Sequence, residues 1–468
     1  MKESIIGRTA EKMELQRIFE SGKAEFVAIY GRRRVGKTFL IKEFFEENLV
    51  FSVAGLAKGN TRLQIKNFYK TVQRYDSSIK ESPKDWIDVF DILIRYIESL
   101  GNGRKVILLD ELPWMDTPKS GFIPALEHFW NGWASSRKDI VLVVCGSATS
   151  WMMDKLIDDH GGLHNRLTKR IFLRPFTLLE SESMLNNIGM DLSRYEIAIS
   201  YMILGGIPYY LSLLDPRKSL VQNIDTLMFS EDGELHNEFE NLYSALFKNS
   251  EDYIKVVTVL SEVRCGLSRS EIVDRTGIST GGTLTKILKN LISCAFVRKH
   301  KDIGIGKEDI FQLVDFYTLF YFRFLCDKHT FEDGYWMSIQ GTPKFYSWAG
   351  LSFEILALQH IPQIKQSLGI SGVMTSEYSW RTPNAQIDLV IDRKDMTVNL
   401  CELKFSEDDY HIDEDEDTKL RRRISSFKEN LRKESKSVRL TFVTTYGLAN
   451  SKYNSRVNDS IVLDDLFK

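Results

Sequence analysis

Cysteine is scarce in this chain: five residues (Cys145, Cys265, Cys294, Cys326 and Cys401) are scattered through 468, with no CxxC pair and no Cys/His group at zinc spacing. That argues against a disulfide framework and a zinc ribbon and fits a reducing compartment. Long apolar runs are missing as well. No stretch approaches the roughly 18 residues needed to span a bilayer, and the opening MKESIIGRTAEKMEL turns charged at once instead of building the apolar core of a secretory leader. A cytoplasmic chain without a membrane partner is expected. An excess of one charge is lacking too: 62 Lys+Arg against 64 Asp+Glu give a net charge of -2, so any surface that attracts nucleic acid must be local. Solenoid-length repeats are absent, and EDDYHIDEDED is the one strongly biased segment. What is abundant is apolar side chain, 43% of the residues, which in a chain of 468 supports two to four cores.

Between Phe26 and Leu173, short apolar runs (FVAIY, LVFSV, KVILLD, IVLVVCG, RIFLRPF) alternate with amphipathic stretches, the pattern of an α/β parallel sheet covered on both faces. This predicts a core over 1–175. Helical periodicity without strands follows over 176–248. From Tyr253 to Lys301 the order is helix, helix, helix, strand, with nine Lys/Arg against three Asp/Glu; GISTGGTLTKILKNLI reads as a capped helix after a Gly turn, the arrangement of a winged helix-turn-helix over 249–302. DFYTLFYFRFL, with Arg323 inside, predicts a buried connector helix within 303–349. Mixed α/β patterning returns over 350–468.

GRRRVGKT directly follows the strand FVAIY and opens a helix, matching GxxxxGK[ST]. Gly31, Arg32, Arg33, Arg34, Val35 and Gly36 would form a loop whose backbone N–H groups surround a phosphate. Lys37 would neutralise charge on it, Thr38 would supply a hydroxyl to Mg2+, and Phe39, next on the helix, would also border the nucleotide. VILLDE places Asp110 and Glu111 at the carboxyl edge of the same sheet, where ligands bind. Asp110 would hold Mg2+, and Glu111 would orient and deprotonate the attacking water; the bland alternative is a pair of strand-end acids capping the next helix. Ser147, at the end of IVLVVCGS, is either a sensor of the terminal phosphate or an ordinary helix cap. Arg166 and Arg170 are candidates to contact that phosphate, against the bland reading of solvated side chains.

Together, IIGRTAEKMELQRIF, the phosphate loop, DELPWM, CGSATSWM, NRLTKRIFLRPF and GGIPYYL resemble the AAA+ ATPases of the signal-transduction (STAND) lineage. The resemblance continues to the end of the chain and is similar to the prokaryotic, archaeal-type ATPase family with a restriction-endonuclease-like C-terminal region. It implies a P-loop core with a helical lid, a winged helix and a C-terminal α/β domain, with ATP and Mg2+ as cofactors and a homo-oligomer and DNA as partners. It also implies that Gly7, Arg8 and Glu11 lie near the adenine, although Thr9 stands where that family often has Glu, and that Gly205, Gly206 and Pro208 form the GGxP turn of the lid. No NKxD-like guanine reader follows the strands.

In QIDLVIDRKDMTVNLCELKF, Asp388 lies on one strand and Glu402 and Lys404 on the next, two residues apart and so on one side of it. This is similar to the D…ExK pattern of PD-(D/E)xK nucleases, in which the carboxylates bind Mg2+ and the lysine positions water; Glu354 matches their additional helical acid, while Gln386-Ile387 stands where many of them have Pro. Lys419 to Arg439 then holds nine Lys/Arg and two Glu, a helix suited either to a phosphate backbone or to the acidic run beside it. Lys286 and Lys289 on the winged helix pose the same choice between DNA and packing. Two readings follow: an ATP-driven switch controlling a metal-dependent DNA nuclease, or an ATP-dependent regulator that binds DNA with an inactive nuclease-like domain.

Overall fold

Runs that are apolar on both sides of the chain fold as strands covered on both faces, and every residue of KVILLD and IVLVVCG is buried. The computed structural model describes residues 5–147, 149–157, 163, 165–247, 249–303, 308–326, 334–383, 385–431 and 435–468. It divides into two compact units, Met1–Arg174 and Pro175–Lys468.

In the first unit, strands β1 (Glu25–Tyr30), β2 (Leu49–Ala54), β3 (Lys105–Asp110), β4 (Ile140–Gly146) and β5 (Lys169–Phe172) are all parallel and lie in the order β2-β3-β4-β1-β5. Helices between them bury one face each. Trp86–Ser99, started by the Asp85 carboxylate accepting from the Asp88 N–H, buries Trp86, Val89, Phe90 and Leu93, and Phe90 stacks on Phe129 of the helix Phe122–Gly132. At the amino edge of the sheet, buried Lys105 donates to Asp139 at 2.9 Å, and Arg137 grips the same carboxylate at 2.7 Å. That pins β3 and β4 at the end remote from the phosphate loop.

The second unit begins with helices that start on reciprocal caps, Thr177 with Glu180 and Ser193 with Glu196. The aromatic connector is buried: Phe316, Tyr317, Phe320 and Phe324 are all within the core, and the Tyr317 hydroxyl donates to the Leu235 carbonyl at 2.9 Å. Among the described residues no helix is long and apolar enough to cross a membrane. Strands β6 (Leu267–Ser268), β7 (Val297–Ile303) and β8 (Asp309–Leu313) pair antiparallel around the helices Arg269–Thr276 and Gly282–Ser293. Then come β9 (Thr375–Thr382), β10 (Ala385–Arg393), β11 (Thr397–Lys404), β12 (Ser437–Thr444) and β13 (Asp459–Val462). Among the described residues, β6 to β13 form one sheet, in the order β13-β12-β11-β10-β9-β7-β8-β6. The join is a short parallel pairing of Asp302 with Ser379 and Ile303 with Trp380. An edge strand with unpaired backbone groups is costly to leave open when another edge lies within reach, and the sheet therefore runs on across the segment where the sequence pattern suggests a boundary.

His360 locks two helices of this unit together. Its buried ring accepts the Leu178 N–H at Nε2 (3.2 Å) and, as the neutral tautomer this requires, donates from Nδ1 to the Leu356 carbonyl (2.8 Å). Burial pushes its pKa down to about 4, against roughly 6.5 in the unfolded chain. The unfolded state therefore binds more protons between these values. The stabilisation is complete above the unfolded pKa and is lost as the pH falls through the folded one, about 3 kcal/mol in total. Urea midpoints of wild type and His360→Gln should converge as pH drops from 6.5 to 4; parallel curves would sink this account.

Candidate functional site

The chain leaves β1 at Tyr30 and turns at once. Gly31 has φ +145, and a Cβ there would run into the Leu173 carbonyl, so only glycine fits beside the chain leaving β5. Arg34 (φ 70) and Gly36 (φ 89) are left-handed, the latter with open space beside it, and the helix Lys37–Phe45 starts immediately after. Its first N–H groups have no intrahelical partner and carry the positive end of the helix dipole, as an anion site requires. Lys37 is 6% exposed, and its ammonium donates to the loop carbonyls of Gly31 (3.0 Å) and Arg32 (2.9 Å).

Three strand ends converge here. The Thr38 hydroxyl donates to Asp110 Oδ2 at 2.7 Å, and Asp110 Oδ1 accepts the Glu111 N–H at 2.9 Å. Glu111 sits at φ 44, ψ 48, a left-handed turn unusual for a residue with a side chain. Its carboxylate accepts the Ser147 hydroxyl at 2.8 Å and the Ser147 N–H at 3.3 Å. Thr38 and Asp110 are hard oxygen donors side by side next to a buried ammonium, which suits Mg2+ with phosphate. Such an ion, when bound, supplies neutralisation of charge on the phosphate oxygens.

Arg8 does more than its position in the sequence suggests. It is buried and bridges the Arg174 carbonyl (2.7 Å) and the Val35 carbonyl (3.0 Å), bracing the phosphate loop against the chain leaving β5. Gly7 precedes it at φ 58. Val35 and Arg32 are buried, Arg33 and Arg34 half-buried and Phe39 exposed. Arg166 and Arg170 are both exposed. Pro208 lies in the second unit, opening the helix Pro208–Leu211 after Gly205 and Gly206, where a Cβ on Gly206 would collide with the Phe176 carbonyl.

A family model described as an ATPase domain predominantly from Archaea matches residues 6–214. The chain carries an archaeal-type ATPase domain. An uncharacterized protein of Methanocaldococcus jannaschii is 23% identical over 98% of this chain and 99% of its own length. From the same organism, an uncharacterized ATP-binding protein is 44% identical over 45 residues, 10% of this chain and 76% of its own. Among solved structures, the Walker-type ATPase of Pyrococcus abyssi has a TM-score of 0.49 at 20% identity and covers 69% of this chain and 97% of that one. The matched residues thus run past Arg174 into the helices that open the second unit.

Beyond the ATPase domain, β10 and β11 pair antiparallel with Leu389 opposite Cys401. Continuing that register sets Asp388 opposite Glu402. Glu402 is buried, and its carboxylate accepts from Arg423 Nη1 at 2.7 Å, with Lys404 Nζ at 3.6 Å; Lys404 also reaches Glu416 at 3.1 Å. Burial raises the Glu402 pKa to about 7 against the pull of Arg423. Glu354 accepts from Arg264 Nε at 3.0 Å, and Asp388 accepts from the Gln386 amide at 3.3 Å. Among the described residues no three His, Cys, Asp or Glu side chains are gathered as for a metal ion. Of the expected metal set of Asp388, Glu402 and Glu354, Glu402 is held by Arg423 and Glu354 by Arg264, because a carboxylate buried without a countercharge costs several kcal/mol. Arg423, invisible as a partner in the sequence, lies in the basic stretch that also suits a nucleic-acid backbone.

Proposed function

We propose that this protein is an ATP-hydrolysing switch whose second unit binds DNA without cutting it. The observation that carries the ATP half is the Thr38–Asp110 hydrogen bond, which joins the helix after the phosphate loop to the end of β3 where a nucleotide-bound Mg2+ would sit. Lys37 meets the β- and γ-phosphates, and Glu111 acts as base toward water. Gly7 and Arg8 border the nucleotide; Arg166 contacts its terminal phosphate. Mg2+-dependent release of phosphate from ATP by the full chain tests this half, and failure to release it or to bind ATP overturns it.

For the second unit, the ion pairs on Glu402 and Glu354 favour DNA binding over metal-dependent cleavage. Exposed Lys286 and Lys289, on the helix Gly282–Ser293, supply phosphate contacts. Plasmid and single-stranded DNA should survive incubation with Mg2+ or Mn2+, with and without ATP. Cutting by wild type that disappears in Lys404→Ala would instead establish the nuclease, with Asp388, Glu402 and Lys404 as its site.

A further inference from the structure

Among the described residues β2 is an edge strand of its sheet, so the chain leaving it has no strand on its outer side to hold it. It nevertheless touches the turn that carries Glu111. Ala54 pairs with Asp110, and the Gly55 N–H then donates to the Asp110 carbonyl at 2.9 Å. That carbonyl and the Glu111 N–H are the two ends of one planar peptide unit, and the N–H end is held by Asp110 Oδ1 at 2.9 Å. With both ends fixed the plane cannot rotate, and its orientation sets the left-handed φ of 44 at Glu111. Gly55 lies too close for any side chain: a Cβ there would be 2.7 Å from the Glu111 carbonyl oxygen and 3.0 Å from Trp114 Cβ.

What holds Gly55 there is the helix Thr61–Tyr75. Gln64, 1% exposed, pairs with both backbone groups of Leu56: its Oε1 accepts the Leu56 N–H at 2.9 Å, and its Nε2 donates to the Leu56 carbonyl at 2.6 Å. Nε2 also reaches the Gly59 carbonyl at 3.5 Å. Asn67, three residues on and so on the same side of the helix, donates to the Ala54 carbonyl at 2.8 Å. The residues before and after Gly55 are thus gripped as a neighbouring strand would grip them, while Leu56, Ala57 and Lys58 present their side chains to solvent. Gln64 carries no charge, and its amide is engaged by backbone groups, so it takes no part in proton transfer.

We infer that Gln64 is a positioning residue for ATP hydrolysis: through Leu56 and Gly55 it fixes the Asp110–Glu111 peptide, and with it the direction in which the Glu111 carboxylate meets water. A base held out of line loses much of its effect, because a misplacement of about 1 Å can cost on the order of a hundredfold in rate. Side chains that lock a functional group from behind supply that precision. The inference rests on the reading of Glu111 as the base and adds what aims it.

The test is steady-state ATP hydrolysis by the full chain, with Gln64→Met made both in wild type and in Glu111→Gln. Methionine keeps the length of the side chain and loses both bonds to Leu56. In wild type the change should lower kcat by about ten- to a hundredfold, with KM for ATP within about threefold. In Glu111→Gln it should cost nothing further, since no base is left to aim; a residue that only holds the helix would cost the same in both backgrounds. Gly55→Ala, which pushes on the Glu111 carbonyl with Gln64 intact, gives an independent reading with the same expected pattern if Gln64→Met does not melt cooperatively. A wild-type kcat in the variant that is read, or an equal loss in both backgrounds, overturns the inference and leaves Glu111 standing as the base. No ATP hydrolysis by wild type, or an unchanged kcat in Glu111→Gln, overturns both.

Discussion

Lys37→Ala is expected to lower kcat/KM for ATP hydrolysis by about a hundredfold to a thousandfold, the loss seen when one preorganised donor to a developing anion is removed. The ammonium is almost wholly buried and already aimed over the loop, where it meets the Gly31 and Arg32 carbonyls. Little reorganisation is needed to transfer it to phosphate oxygens, and the surrounding low dielectric strengthens the interaction. Alanine also leaves two loop carbonyls without a donor, so nucleotide affinity should fall together with turnover. Lys37→Arg should fail to rescue, because a planar fork cannot occupy the place of a compact ammonium. Phosphate release and binding of a fluorescent ATP analogue measure the two effects. Turnover within threefold of wild type in Lys37→Ala would remove the loop from the mechanism.

Glu111→Gln should separate these effects. Glutamine preserves the size and the bond from the Ser147 hydroxyl but cannot take a proton, so ATP affinity should hold while kcat drops by about 10²- to 10⁴-fold, the usual worth of a positioned base. The left-handed turn at Glu111 supports a functional role, since a side-chain-bearing residue in that region persists only where its surroundings impose it. The Ser147 hydroxyl holds the carboxylate at the end of β4. Unchanged kcat in Glu111→Gln, measured at saturating ATP, would reduce the pair Glu111–Ser147 to a brace between β3 and β4.

The first-unit strands were legible because each is a short apolar run buried on both faces, as in KVILLD and IVLVVCG. The phosphate loop was legible because its glycines serve local demands, such as the left-handed turn at Gly36 that starts the helix. Thr38 and Asp110 were expected to meet at Mg2+, and strand order delivers that meeting. What sequence spacing could not show is that Arg8, read only as a neighbour of adenine, braces Val35. In the second unit, the facing of Asp388 and Glu402 was foreseeable from their strands, whereas Arg423 on Glu402 was not, because a basic helix has many arginines and its docking selects one.

The short ladder between β7 and β9 has a mechanical meaning. Strands joined by hydrogen bonds resist sliding far more than they resist bending, so the helices carried by β6–β8 and the carboxylates carried by β10 and β11 share one stiff plate. A push on Gly282–Ser293 would reach Asp388 through this ladder as a tilt of the sheet. Whatever bears on those helices and whatever bears on Asp388 would then register as a single load.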